Sequence, residues 1–287
     1  MAASSIADVS DTAFWVAHYR GIEGRRRDAL FRDPLAARLA GQHGQQIARE
    51  MPGAAMTAWS VAIRTHLIDD YIRRAMADGV DTILNLGAGL DTRPYRMDLP
   101  DELQWIEADF PKVIEFKEER LKADTPHCRL QRVRVDLSDG EQRRGLLASV
   151  DAQAGKLLVL TEGVVPYLGV EEVGALADEL RGLHAMRYWV VDYLSPALLR
   201  YRKRLQRRMA NAPFKFQPDD WFGFFAAHGW RCAELRYLAE HGTRLGRPMR
   251  LPTLPRLVLG VSRIFAPKER VEAVGKFAGY ALLEPAA

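Results

Sequence analysis

The chain has 287 residues, 48% hydrophobic and 27% charged, with 41 Lys and Arg against 37 Asp and Glu for a formal charge of +4. That length holds one large α/β domain or two small ones around a substantial buried core, and the mild basic excess permits an anionic substrate or nucleic acid without arguing for either. Two cysteines, Cys128 and Cys232, exclude a disulfide framework and do not cluster with histidines as a zinc site would.

The opening MAASSIADVSDTAFW has no basic stretch followed by an apolar run, so it does not read as a signal peptide, and a reducing cytosol is the expected location. Residues 11–20 and 28–40 carry apolar side chains at helical spacing, the second stretch broken at Pro34. A longer helix is predicted over 59–79, ended by Gly79, with Val61, Leu67, Ile68, Tyr71, Ile72 and Ala75 as its apolar stripe. The period then changes. VDTILNLGAG reads as a buried strand feeding a turn, LQWIEAD (103–109) as a second strand, and 110–123 as a helix with Pro111 in its first turn. CRLQRVRVDL (128–137) is a third strand, GLLASV a helix, and KLLVLTEGVVPYL (156–168) a fourth strand with its loop. An amphipathic helix over 170–183 and a fifth strand over 185–194 follow. Such a run of βα units predicts a mostly parallel sheet covered by helices on both faces.

Further on, 196–210 reads as a basic helix, 221–230 as a short aromatic helix closed by Gly229, 232–240 as a strand, and 277–285 as a terminal strand. The most apolar late stretch, 251–267, is interrupted by prolines and arginines and is too short to span a bilayer. With no repeat or low-complexity linker, one domain is expected. It comprises a helical N-terminal extension (1–79), a cofactor-binding core (80–194), a cap insertion (195–227) and C-terminal strands completing the sheet (228–287).

The chemistry concentrates in NLGAGLDTRPYR (85–96). Gly87 and Gly89 follow the first strand, where glycine allows positive φ and close approach of a ligand. Ligands of open α/β sheets sit at the carboxyl ends of the strands. Asp91 in this turn would repel a pyrophosphate and compete for its donors, and Thr92 replaces the third glycine of a dinucleotide fingerprint. A phosphate-free nucleoside escapes both objections, and one with a positive charge is favoured; S-adenosylmethionine has no phosphate and carries a sulfonium. Asp91 could equally cap a helix or pair with Arg93 or Arg96. Glu107 and Asp109, some twenty residues on, sit at the distance of a ribose-binding acid and alternate to the same side, so one could bind ribose while the other holds a backbone N–H. Asp136, with the Leu137 backbone beside it, is the candidate adenine contact. Glu162 follows a very apolar strand and belongs at the floor or lip of a site, because unpaired burial is costly. Tyr167, in a loop stiffened by Pro166, could face the reacting groups or pack in the core.

NLGAGLDTRPYRM, WIEADFP, the VDL of 135–137 and EGVVPYL together resemble the leucine carboxyl methyltransferase family, in particular its bacterial branch of S-adenosylmethionine-dependent O-methyltransferases, which includes polyketide-tailoring enzymes. The resemblance runs from about Ala13 to Trp230. It implies a class I methyltransferase, Rossmann-like fold with seven strands, the last antiparallel, and helices ahead of it that cover the cofactor. Residue by residue, it implies that Arg64 grips the methionine carboxylate, helped by a basic residue of the first helix, where His18, Tyr19 and Arg20 stand and Arg20 is taken. It places Gly87 and Gly89 in the cofactor turn, Asp109 on the ribose, Asp136 and Leu137 at the adenine, Glu162 after the fourth strand and Tyr167 near the reaction centre.

Methyl transfer from a sulfonium needs alignment and a field that permits charge neutralisation. A carboxylate acceptor needs no base, whereas a phenol gains from one; His184, His228 and His241 are candidates, with His228 taken beside Tyr167 as the catalytic pair. A small-molecule acceptor of anionic or aromatic character is expected, without nucleic acid or membrane. The basic run 200–208 is a solvated helix face or a receiver of such an acceptor. Three alternatives stand beside this reading: carboxyl methylation of a protein C-terminus, an NAD-type oxidoreductase, and a non-catalytic S-adenosylmethionine-binding protein.

Overall fold

Pro34 decides where the second helix begins. It lacks an N–H to be satisfied and its φ suits the first helical turn, while the Asp33 carboxylate caps the helix by accepting from Ala36 N at 3.0 Å. The helix predicted over 28–40 therefore starts only at Pro34. The computed structural model describes residues 10–195, 213–249 and 275–286. Within them α1 spans Asp11–Gly24, α2 Pro34–Glu50 with a kink at Gly41, and α3 Ala54–Ala77.

The core alternates as expected: β1 Thr82–Leu86, α4 Arg93–Arg96, β2 Gln104–Asp109, α5 Pro111–Leu121, β3 Arg129–Arg134, α6 Gly140–Asp151 and β4 Leu157–Thr161. A 3-10 turn at Val165–Tyr167, α7 Val170–Arg181 and β5 Met186–Leu194 complete that run. After it come α8 Trp221–Ala227, β6 Trp230–Tyr237, α9 Leu238–Arg244 and β7 Ala278–Pro285. The strand predicted over 232–240 begins earlier and stops at Tyr237, where the chain turns into α9.

The seven strands form one sheet in the order β3-β2-β1-β4-β5-β7-β6. β7 runs antiparallel to both β5 and β6, and the β1–β5 pairings are parallel. This is the class I methyltransferase, Rossmann-like topology. Alternation sends Leu84, Leu86, Val159, Trp189 and Val191 to one face, against α6, α7 and α8, while Ile83, Leu158, Leu160 and Val190 face α3. Trp189 meets Phe225 and Trp230 edge-on at 5.4 and 5.2 Å, and Trp230 donates to the Ala177 carbonyl, so the large rings bury without losing a hydrogen bond. The order reverses between β1 and β4, and the crevice above that reversal is open to a ligand.

The cap expected over 195–227 falls mainly on 196–212, outside the described residues, as does the basic run 200–208. Its described end is part of the core, since Trp221 and Phe225 of α8 are buried against the sheet. Among the described residues no helix is long and apolar enough to cross a membrane.

Candidate active site

At the carboxyl end of β1 the chain turns through Gly87 (φ 65°) and Gly89 (φ 49°). Both conformations are ones that side chains strain to adopt, and a Cβ on Gly87 would also meet Val164 at 2.5 Å. The turn is tied to β2: Gly87 N donates to the Ala108 carbonyl at 2.8 Å and Gly89 N to Asp109 Oδ2 at 2.6 Å. Asp109 accepts a second bond from Phe110 N at 2.7 Å. Burial nonetheless pushes its pKa up, against the pull of these two donors.

Beside the turn lies a chain of buried ion pairs. Arg93, with a side chain 0% exposed, bonds Asp69 of α3 through Nε at 2.7 Å. Its Nη1 reaches Asp91 at 2.6 Å and Glu162 at 2.9 Å. Asp91 also accepts from Arg93 N at 2.9 Å and Asn85 Nδ2 at 3.0 Å. Arg96 adds a two-pronged bond to Asp69 at 2.7 and 2.8 Å. Arg20 sits 3.4 Å from Asp33 and donates to the Leu90 carbonyl. Burial alone would neutralise Asp91 and Glu162, yet Arg93 above all holds both carboxyls below the usual carboxylate range, helped by Arg20 at Asp91 and by Arg64 at Glu162.

Arg64 and Glu162 face one another as an ion pair, Nε to Oε1 3.0 Å, but the N–H is not aimed at the oxygen and neither buried atom makes a hydrogen bond. Two oppositely charged, under-satisfied groups at one end of a cavity suit the carboxylate and ammonium of an amino-acid head.

That cavity holds about 390 Å³. It runs from Arg20, Arg64, Asp91 and Glu162 past the glycine turn to Asp109, Phe110, Asp136 and Leu137, and Tyr167 is also in its wall. Tyr167 stands 5.2 Å from the Phe214 ring. Ten of the expected site residues thus meet around one space, although they come from α1, α3 and four strand ends.

Two do not. Glu107 is 0% exposed, and its oxygens are taken by Lys117 at 2.7 Å and Arg132 at 2.9 Å. It anchors α5 and β3 to β2 under the sheet edge, because a fully buried carboxylate needs cations more than it can serve a ligand. Of the two acids, it is Asp109 that faces the cavity and holds the backbone N–H groups. His228 is absent from the wall; it ends α8, with Nδ1 2.7 Å from Asp178 of α7 and its ring against Phe224. It stands two residues ahead of β6, which through β7 runs parallel to β5, so the ring lies at the amino ends of the strands, away from the crevice at their carboxyl ends. His184 and His241 are likewise elsewhere: the former's N–H donates to Asp151, and the latter's ring lies 3.2 Å from His66.

The wall contains polar groups that sequence reasoning missed, chiefly Asn85, Asp192 and Tyr280. An acid inside the apolar run WVVDYL was the available signal for Asp192, as a buried carboxylate must find partners. Tyr280 Oη donates to its Oδ1 at 2.7 Å and Gly163 N to its Oδ2 at 2.9 Å. Among the described residues no three His, Cys, Asp or Glu groups are placed to hold a metal ion.

The family model for leucine carboxyl methyltransferase matches residues 13–181, more than half of the chain. The chain belongs to the leucine carboxyl methyltransferase family. A Streptomyces avermitilis protein, assigned without an established reaction to the S-adenosyl-L-methionine-dependent methyltransferases, is 31% identical over 260 residues, covering 84% of this chain and 89% of its own. One from Streptomyces coelicolor, of the same description, is 32% identical over 265 residues, covering 85% and 89%. Among solved structures, a methyltransferase-like protein from Thermobifida fusca superposes with a TM-score of 0.58 at 14% identity, covering 99% of this chain and 96% of that one. At that identity the likeness speaks for the fold alone. As a member of this family the protein is a methyltransferase with S-adenosylmethionine as its cofactor, and the free Arg64–Glu162 edges and glycine turn fit that molecule.

Proposed function

We propose that the protein transfers the methyl group of S-adenosylmethionine to an oxygen atom of a small molecule, a carboxylate or a phenolic hydroxyl. The observation that carries this reading is the cavity at the β1–β4 reversal, whose glycine turn is flanked by the acids Asp91 and Glu162 rather than left open for a phosphate. Arg64, helped by Arg20, binds the methionine carboxylate, and Glu162 accepts from the ammonium. Asp109 binds the ribose, with Gly87 and Gly89 allowing close approach. Asp136 and the Leu137 backbone hold the adenine edge, and Phe110, 39% exposed at the cavity, covers its face. When bound, the cofactor supplies an electrophilic methyl on a sulfonium. The chain's own part is to align the acceptor, with Tyr167 at the wall, and to surround the cation with carboxylates. The whole chain acts as one methyltransferase domain in a reducing cytosol.

Calorimetric titration with S-adenosylmethionine, S-adenosylhomocysteine and NAD tests the reading. Both sulfur compounds should bind and NAD should not, because Asp91 repels a pyrophosphate. Tight NAD binding with no response to either sulfur compound sinks it. Product analysis with labelled methyl donor then separates O-methyl ethers and esters from transfer to other atoms.

A further inference from the structure

Beyond Glu162 the cavity continues past the ends of β5 and β7, where Leu194, Leu238, Ala278 and Gly279 make an apolar wall interrupted by Asp192 and Tyr280. The sheet puts these two side by side. Asp192 and Tyr280 are direct cross-strand partners in the antiparallel β5–β7 pair, and the Thr161–Val191 pairing of β4 with β5 brings Asp192 next to Glu162. Tyr280 Oη and Gly163 N each donate one bond to the carboxylate, at 2.7 and 2.9 Å, which fixes its orientation and leaves each oxygen a further lone pair.

Charge narrows what this end of the cavity can take. Among the described residues the wall of the whole cavity carries five carboxylates and two guanidiniums; Arg20 is paired with Asp33, and Arg64, facing Glu162, is the one assigned to the methionine carboxylate. A second anion would face Asp192 with no cation to spare for it, whereas a neutral hydroxyl could donate into the carboxylate.

We propose that Asp192 accepts the proton of a neutral, phenol- or enol-type hydroxyl on the methyl acceptor, with Tyr280 positioning the carboxylate, so that the acceptor is a hydroxyl compound and not a carboxylate. This rests on the oxygen-methylation reading above. The hydroxyl O–H bond breaks, its proton passes to Asp192, and the freed oxygen pair forms the bond to the methyl carbon while the carbon–sulfur pair stays on sulfur, leaving a neutral thioether. Asp192 then loses the proton to solvent. Burial pushes its pKa up to about 6, against Tyr280, Arg64 and the Gly163 N–H, with Glu162 adding to the rise. At neutral pH it is therefore ionised, and a better base than an ordinary aspartate. The groups facing it are Tyr280 from β7, Arg64 from α3 and Glu162 from the loop after β4.

The test uses two probes of matched shape, 2-naphthol and 2-naphthoate, titrated into the S-adenosylhomocysteine-saturated protein at neutral pH. Wild type should bind naphthol at least about tenfold more tightly, and Asp192→Asn should shrink that preference to about threefold or less while leaving S-adenosylhomocysteine affinity within about threefold. Labelled methyl transfer to 2-naphthol should fall on the acid side of about pH 6, and Tyr280→Phe, which removes one donor from the carboxylate, should move that limb to higher pH; a merely structural tyrosine would leave it in place. Preference for naphthoate, binding of neither probe, an Asp192→Asn variant with unchanged preference, or an unmoved limb would each overturn the proposal. Failure to bind S-adenosylhomocysteine at all would instead remove the methyl-donor reading beneath it.

Discussion

Arg64 projects from α3 into the cavity with its side chain 19% exposed and Glu162 3.0 Å away. Replacing it by alanine should weaken S-adenosylmethionine binding by about 1.5–3 kcal/mol, the scale of a hydrogen bond to a charged group. Calorimetry checks this, and an unchanged dissociation constant would remove Arg64 from the site. Asp192 lends itself to a stability test with a definite sign. Its folded pKa, about 6, lies above the usual 3.8, so the stability it contributes is fully present below pH 4 and is lost as pH rises through 6. Two pH units at about 1.4 kcal/mol each amount to about 3 kcal/mol. Asp192→Asn cannot ionise and should therefore be more stable than wild type by up to about 3 kcal/mol at pH 8, with little difference at pH 4. Urea unfolding at both pH values decides it; a variant equally destabilised at both would contradict the assignment. At this scale the glycines, Asp109, Asp136 and Glu162 were legible because each follows a strand that its apolar run reveals. Asp192 was not, since a lone acid in a strand names no partner until Tyr280, 88 residues on, is brought opposite it.

The short helix α4 shows how an element can be held by charge. It has only four residues, too few to be stable alone, and Arg93 at its start ties α3, the glycine turn and the loop after β4 together. Arg93→Ala would strand three carboxylates in the interior, and should cost about 3–5 kcal/mol in urea unfolding, as breaking a buried pair does. A loss below about 1 kcal/mol would mean that water fills the gap at little cost. Most longer elements could be read from the residues, because burial on one face imposes a period of 3.6 or 2 on the chain. α9 could not: Leu238–Arg244 continues a β-rich run without a break, and it becomes helical where the chain must leave the sheet to pack on α3. His228 was misplaced for a similar reason, because nothing in AAHGW says at which end of the sheet its helix stops.

At the scale of the whole molecule the acids of the ion-pair chain oppose Asp192 in sign. Asp69, Asp91 and Glu162 have folded pKa values below their usual ones, so their stability is present above about pH 4 and is lost as pH falls through the folded values. Acid titration followed by near-ultraviolet circular dichroism should show tertiary structure persisting through pH 4 and collapsing below it. Loss of tertiary signal already near pH 6 would contradict the ion-pair chain. The residues by themselves determined the βα order and the glycine turn, which depend on short stretches whose periodicity and chemistry are local, and the resemblance of those stretches to a family named the methyl donor. Only the tertiary structure decided that Glu107 is a buried anchor while Asp109 faces the cavity, that Arg93 holds Asp91, and that Asp192 and Tyr280 meet in the cavity wall. Those outcomes depend on which charges the fold brings within 3 Å of one another, and separation along the chain carries no record of that distance.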